Sequence, residues 1–264
     1  MNFAVINGIS LHYADTGEAG LPVIAFANSL ATDFRIWDAV VAGLAGRFRC
    51  IRYDKRGHGL SDAPPAPYHM DDHVADLAGL LDHLAVSSAI ICGLSVGGMI
   101  AQGIAAAHPD KVRGLVLCDT GHVIGDATMW NWRIETVEGQ GLKALQDGVM
   151  ERWFSAEYRV PDNAAYAGYR NMFERTPVAG YSGTSAAIRD TDFTTSTALI
   201  KVPTLCIVGD QDKATTPELV RDLADLIDGS SYAVINGAGH LPCIEKPDVQ
   251  LSLMDRFFRE NDLG

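Results

Sequence analysis

The stretch Gly93-Leu94-Ser95-Val96-Gly97-Gly98 decides how the chain is read. The residues before it, Ser88-Ala89-Ile90-Ile91-Cys92, form a short apolar run that reads as a buried strand. Those after it, from Met99-Ile100-Ala101-Gln102 through Ala107, are small and apolar and read as a helix. A strand that passes into a helix through Gly-x-Ser-x-Gly is a nucleophile elbow. The turn is so tight that the serine backbone is strained, and Gly93 and Gly97 remove the Cβ atoms that would strike neighbouring chain. The bend holds the Ser95 hydroxyl out at the top of a sheet. It also aims the Val96 N–H, in the first turn of the helix, at developing negative charge. A glycine-rich turn with an incidental serine has the same local pattern, so the reading rests on partners elsewhere in the chain.

Working outward, residues 9–15 alternate apolar and polar and suit an edge hairpin strand. Residues 22–27 are a continuous apolar run that reads as a buried strand, and residues 48–53, 112–118, 203–208 and 231–235 read as further strands. Helical patterns fall between them: residues 34–44 with Trp37 on the inner face, Val74, Leu77, Leu80, Leu81 and Leu84 on one stripe, 217–227, and 247–258. Strands alternating with helices imply an α/β fold with a mostly parallel sheet covered on both faces. The rhythm breaks at residue 126. From there to residue 197 the patterns are helical, opening at Trp130-Asn131-Trp132-Arg133 and continuing over 142–154 and 163–173. Residues 126–197 are therefore expected to form a helical cap inserted into a core made of residues 1–125 and 198–264.

In an open α/β sheet, chemistry collects at the carboxyl ends of the strands. Gly209-Asp210-Gln211-Asp212 follows one strand and Gly237-Ala238-Gly239-His240 follows the last. With Ser95 they give the order serine, acid, histidine. A serine hydroxyl attacks well only if a base takes its proton, and an imidazole titrating near neutral pH suits that task. An ionised carboxylate then holds the ring in one tautomer and stabilises the imidazolium. Asp212, three residues past Gly209 and just before Thr216-Pro217, has the favoured spacing for the acid. Asp210 is the competitor, with a loop carboxylate that caps backbone N–H groups as its plain role. His240 as a packed loop residue is the corresponding plain reading. The other seven histidines lack such a context, although His122, after the strand ending at Cys118, is a candidate for lining a pocket.

A chain of 264 residues with 47% hydrophobic content supports one large domain with an insertion. A net charge of −12 argues against nucleic acid or an anionic membrane as partner. The first residues, Met1-Asn2-Phe3-Ala4-Val5, have neither a basic leader nor a long apolar run, and no stretch approaches the roughly 20 apolar residues of a membrane span. Cys50, Cys92, Cys118, Cys206 and Cys243 lack metal-ligand spacing and read as buried reduced thiols, which points to the cytoplasm.

These residues resemble the α/β-hydrolase superfamily and, more narrowly, the 3-oxoadipate enol-lactonases. The resemblance runs from about His12 to Phe258. It rests on Asn28-Ser29-Leu30 with Trp37, on Arg52-Tyr53-Asp54-Lys55-Arg56-Gly57-His58-Gly59, and on Cys92-Gly93-Leu94-Ser95-Val96-Gly97-Gly98-Met99-Ile100. Leu117-Cys118-Asp119-Thr120, Trp130 with Arg133-Ile134, Arg152-Trp153-Phe154, Ala187-Ile188-Arg189-Asp190 and Gly239-His240-Leu241 extend it. The elbow and the histidine loop are shared across the superfamily, whereas Asn-Ser-Leu and the cap motifs are narrower. Val96 stands where related proteins often carry methionine, and His122 departs from the usual small or basic residue after Asp-Thr.

The resemblance implies hydrolysis of a carboxylate-bearing enol-lactone, with no cofactor and no metal. Ser95 attacks, His240 accepts the proton, and the Val96 N–H pairs with a second donor from the loop after residues 22–27 to hold the oxyanion. Aligning that loop on Trp37 makes Leu30 the second donor. An anionic substrate needs a local cation in a protein this acidic. Arg133, flanked by Trp130 and Trp153 as an apolar wall, is one reading, and a surface ion pair of Arg133 with Glu135 or Glu138 is the other. A general carboxylesterase or a cofactor-free perhydrolase on the same scaffold is the competing activity, and a ligand receptor with vestigial hydrolysis is the competing class. Ser95 excludes the branches that need aspartate at the elbow.

Overall fold

The computed structural model describes residues 2–264. Among the described residues, eight strands make one sheet: β1 (Asn2–Ile6), β2 (Ile9–Thr16), β3 (Val23–Ala27), β4 (Arg49–Tyr53), β5 (Ala89–Leu94), β6 (Val112–Cys118), β7 (Thr204–Gly209) and β8 (Ser231–Ile235). Their order is β1-β2-β4-β3-β5-β6-β7-β8. β1 and β2 are an antiparallel hairpin, and β2 also runs antiparallel to β4. Every pairing from β4 to β8 is parallel.

The segment expected as the edge strand is therefore second from the edge. Asn7 (φ +50°) and Gly8 (φ +81°) turn the chain so that Asn2–Ile6 can lie outside it. Phe3 and Val5 face solvent there while Ala4 and Ile6 face the core, the half-buried alternation of an edge strand. By contrast β5 and β7 are buried at every position, which is why they read as unbroken apolar runs.

Six helices serve the core: α1 (Asp38–Leu44), α2 (Met70–His83), α3 (Val96–Ala107) and, after the insertion, the last three given below. α2 starts where the Asp72 carboxylate accepts the His69 N–H at 2.8 Å, satisfying an orphan donor of the first turn. It turns Val74, Leu77, Leu80 and Leu81 to the core. Between β6 and β7 the chain passes through α4 (Ala127–Gln140), α5 (Gln146–Trp153), α6 (Ala164–Glu174), α7 (Val178–Arg189) and α8 (Thr194–Thr197). The core then resumes, with α9 (Pro217–Leu226), α10 (Pro242–Glu245) and α11 (Pro247–Glu260).

α7 has no counterpart among the segments expected from periodicity. Its residues Gly180 to Ile188 are buried almost all round, so no polar stripe marks it in the sequence. Gly180 lies against Gly57, where a Cβ would sit 1.9 Å from the Gly57 oxygen, and the Gly183 carbonyl accepts the Tyr68 N–H at 3.3 Å. The inserted helices are thus sewn to the loops that follow β4. All five cysteines are free and buried. Among the described residues, no helix is long and apolar enough to cross a membrane.

Candidate active site

The buried strand β5 ends at Leu94, and Ser95 takes φ +58° and ψ −120°, a region that L-residues avoid at a cost of about 1–3 kcal/mol. Neighbouring groups hold it there. The Ser95 N–H donates to the Cys118 carbonyl at 3.0 Å. The Ser95 carbonyl accepts the Thr120 hydroxyl at 2.6 Å and the Gly98 N–H at 2.8 Å. A Cβ on Gly93 would sit 2.1 Å from the Gly97 oxygen, and one on Gly97 would sit 2.0 Å from the Ala27 oxygen. The two glycines therefore let the start of α3 close onto both β5 and the end of β3. Ser95 itself is 8% exposed.

Asp212, in the loop after β7, binds the imidazole. His240 Nδ1 lies 2.9 Å from Asp212 Oδ2. The same carboxylate accepts the Thr215 hydroxyl at 2.7 Å and the N–H groups of Ala214 and Thr215 at 2.7 and 3.1 Å. Burial alone would raise the Asp212 carboxyl. The adjacent His240 charge, the His240 hydrogen bond and the donors from Thr215 and Ala214 outweigh it and hold the group below the ordinary carboxylate range. Asp212 is thus an anion whose hydrogen bond fixes the proton of His240 on Nδ1 and leaves Nε2 free as a base. Asp210 takes the other role: it accepts the Gly237 and Ala238 N–H groups at 2.7 and 3.3 Å, shaping the loop that carries His240.

A third acid lies beside this pair. Asp119, just after β6, has φ +45°, is fully buried, and accepts the Gly209 N–H at 2.9 Å. One oxygen or nitrogen from each of Asp119, Asp212 and His240 falls within 4.8 Å of the others. Burial, then the Asp212 charge, pushes the Asp119 carboxyl well above its ordinary value. Asp119 follows Cys118 and precedes Thr120, the two residues that grip the Ser95 peptide. The loops after β5, β6, β7 and β8 therefore converge on one spot. In the sequence Asp119 stands only as part of a motif, because nothing local signals a carboxyl turned inward by a positive φ.

The expected oxyanion donors are unspent. Leu30 is 6% exposed and Val96 fully buried, yet among the described residues neither backbone N–H donates to another protein group. Buried N–H groups are nearly always paired, so two such donors beside a strained serine mark a place for an incoming acceptor.

The cap residues form a continuous wall. Arg133, on α4, donates from Nε and Nη2 to the Tyr181 hydroxyl at 2.9 and 2.6 Å. Its guanidinium also lies 5.0 Å from the Trp130 ring centre and 5.7 Å from that of Tyr181. The ion pair with Glu135 or Glu138 is not formed; the fork is turned onto a neutral phenol from α7 instead. From Tyr181 edge-to-face contacts run to Phe173 at 5.9 Å and on to Trp153 at 5.7 Å. The Trp153 carbonyl in turn lies against Gly239, where a Cβ would be 2.7 Å from its oxygen. Trp130 is anchored by its indole N–H on the Ile124 carbonyl at 2.6 Å. Glu245 locks cap to core by accepting the Gly239 N–H at 2.7 Å and the Ser155 hydroxyl at 2.6 Å. His122 is half-buried, and its carbonyl accepts the Phe193 N–H at 3.0 Å. A cleft of about 860 Å³ is lined by the turn at Phe34–Trp37, α6 and α10, and neither Ser95, His240 nor Arg133 lines it.

Known proteins share this sequence pattern and fold. A family profile described as the alpha/beta hydrolase family matches residues 24–251. The chain is 31% identical over 239 residues to 3-oxoadipate enol-lactonase 2 of Acinetobacter baylyi, covering 90% of this chain and 89% of that one. The crystal structure of the enol-lactonase from Burkholderia xenovorans superposes with a TM-score of 0.95 at 38% identity, over 98% of this chain and all of that one. A thermophilic esterase from Thermogutta terrifontis superposes with a TM-score of 0.91 at 28% identity, over 98% of both chains.

Proposed function

The chain belongs to the alpha/beta hydrolase family, and within it we propose that this protein is a serine hydrolase that opens 3-oxoadipate enol-lactone or a close carboxylate-bearing relative. The observation that carries the reading is the Asp212–His240 hydrogen bond, 2.9 Å long, on loops that converge with the strained elbow bearing Ser95. Ser95 Oγ attacks the ring carbonyl while His240 Nε2 takes its proton, and Asp212 stabilises the imidazolium that forms. The Leu30 and Val96 N–H groups donate to the oxyanion, a contribution of about 2.7–4 kcal/mol for each donor of this kind. Collapse breaks the ring C–O bond. The departing enol oxygen is a better leaving group than an alkoxide, and His240 returns the proton to it. The enol stays tethered to the acyl-enzyme until a water, deprotonated by His240, attacks the ester and frees 3-oxoadipate and Ser95.

In this reading residues 126–197 act as a cap that carries substrate selection. The ring opening needs no charge on the substrate, but binding a carboxylate in a chain of net charge −12 does. Arg133 supplies it, held between Trp130 and Tyr181 with no carboxylate of its own among the described residues. The two enol-lactonase relatives favour this substrate, and the esterase relative favours the runner-up, a general carboxylesterase. Steady-state kinetics on freshly generated enol-lactone, a neutral aryl ester, and acetate with peroxide separate the activities. The lactone is expected to give the highest kcat/KM, with Ser95→Ala inactive. An ester preferred over the lactone would replace the proposed substrate, and activity surviving in Ser95→Ala would overturn the mechanism.

A further inference from the structure

The loop after β3 is gripped from behind by two buried side chains that the proposed reaction does not use. Lys55 is 1% exposed, and its Nζ donates to the Ser29 carbonyl at 2.5 Å. His58 is fully buried, and its Nε2 accepts the Ala31 N–H at 2.9 Å while its Nδ1–H donates to the Arg56 carbonyl at 3.0 Å. These bonds flank Leu30. The Ser29 carbonyl and the Leu30 N–H belong to one planar trans peptide, so fixing the oxygen fixes the N–H on the opposite side. The next peptide, Leu30–Ala31, is fixed through its N–H by His58. Ala31 has φ +57°, a conformation that an alanine does not hold unaided.

We propose that Lys55 and His58 are positioning residues for the oxyanion hole: together they clamp the two peptides around Leu30 and aim its N–H at the carbonyl attacked by Ser95. The inference rests on the reading of Ser95 and Leu30 above and deepens it. The Thr32 N–H and hydroxyl also bond to the Ser29 carbonyl, at 3.3 and 2.8 Å, so the turn survives without Lys55 but loses its strongest donor. An ammonium on the carbonyl oxygen also polarises the peptide and makes the Leu30 N–H a better donor. His58 is suited to accept because burial, then the Lys55 charge, holds it neutral, far below its ordinary value. Desolvation likewise pushes Lys55 down to about 7 against the opposing charges of Asp54 and Asp33. Both amine and ammonium donate to Ser29, so the clamp does not depend on which is present.

The test compares Lys55→Met, His58→Leu and His58→Gln with the wild type. The readouts are kcat and KM on the enol-lactone and a neutral ester, affinity for a trifluoromethyl ketone that forms an oxyanion adduct with Ser95, and affinity for 3-oxoadipate. Lys55→Met and His58→Leu are expected to lower kcat about tenfold or more on both substrates, because a displaced donor forfeits part of the stabilisation that a deleted one loses. Ketone affinity should fall in the same proportion, with KM and 3-oxoadipate affinity within about threefold. His58→Gln, which restores an acceptor, should recover most of the His58→Leu loss. Equal falls in ketone and 3-oxoadipate affinity, or a glutamine no better than leucine, would overturn the clamp, and the His58 pair decides this even if Lys55→Met does not fold. A wild type that turns over neither lactone nor ester would instead sink the underlying reading.

Discussion

The loops at the carboxyl ends of β5, β7 and β8 and the helices α4–α7 above them hold their side chains by different means. In the loops, Ser95, Asp212 and His240 are fixed by short hydrogen bonds and by backbone that only glycine or strain permits. In the cap, Arg133, Trp130 and Trp153 are placed chiefly by ring contacts 5–6 Å long, with one phenol on Arg133 and one indole bond from Trp130 to Ile124. Hydrogen bonds and steric closure define angles to within a few degrees, which bond making requires. Aromatic contacts define a volume and an electrostatic preference, which suffices for selecting a substrate. The difference teaches that chemistry and selectivity should separate under mutation: damage below should fall on kcat for every ester, damage above on KM for some of them.

The largest expected effects test the lower half. Ser95→Ala or His240→Ala should each lower kcat by about 10⁵-fold, and the double variant little more, because residues acting as a unit are not additive. Single-turnover kinetics read this directly, and roughly additive losses would mean the two do not act on one proton. Asp212→Asn should cost about 10⁴-fold by stabilising the wrong tautomer of His240. Asp210→Asn, which keeps an acceptor for the Gly237 N–H, should stay within about threefold of wild type, as expected of a neutral loop bond. Reversed results for the two aspartates would break the assignment of the acid.

Which parts of this arrangement are legible without coordinates follows from the range of the interactions. The elbow is local: Gly93 and Gly97 sit four apart because each has a nearby backbone oxygen to clear, and the demand leaves its mark within six residues. Asp212 over Asp210 is legible from spacing within one loop. α7 is not, because a helix buried all round carries no stripe. Nor is the partner of Arg133, which lies 48 residues away on Tyr181 and replaces the acid that a nearest-neighbour reading selects. The grip of Lys55 and His58 on the loop before them spans 26 and 27 residues and involves only main-chain atoms at the far end, so residue types there reveal nothing.

The upper half is tested by Arg133→Ala. Losing a charge-assisted contact to the substrate carboxylate should cost about 2 kcal/mol, raising KM for the anionic lactone about 30-fold. KM for a neutral aryl ester should not change, and kcat on either should move little. Equal KM increases on both substrates would return Arg133 to a structural role and leave the cap without its selecting charge.

Stability against pH sharpens the same contrast from the core side. Lys55 has its folded value pushed down to about 7 by burial, so between about pH 7 and 10 the unfolded chain binds the extra proton. The penalty for burying the ammonium is complete below pH 7 and fades as pH rises toward 10. Lys55→Met should therefore unfold at higher denaturant concentration than wild type at pH 6.5, with the gap closing by about pH 10. A variant that is more stable yet slower would show that the lysine is kept for the geometry of the loop after β3. A gap that stays constant with pH would mean that Lys55 keeps its ordinary value when folded, its charge compensated by Asp54 and Asp33.

The smallest effect belongs to Tyr181→Phe, and it separates two ways in which the cap could hold its arginine. The hydroxyl accepts both Arg133 donors, while the ring of Tyr181 and that of Trp130 provide two faces for the cation. Removing the hydroxyl leaves the faces intact and frees two N–H groups for the substrate carboxylate, but it also frees the guanidinium to rotate. A net hydrogen bond is worth about 1 kcal/mol, so loss of orientation should raise KM for the lactone about threefold to fivefold and spare the neutral ester. A lowered KM would mean that the phenol competes with the substrate for Arg133, and that ring contacts alone are enough to aim it.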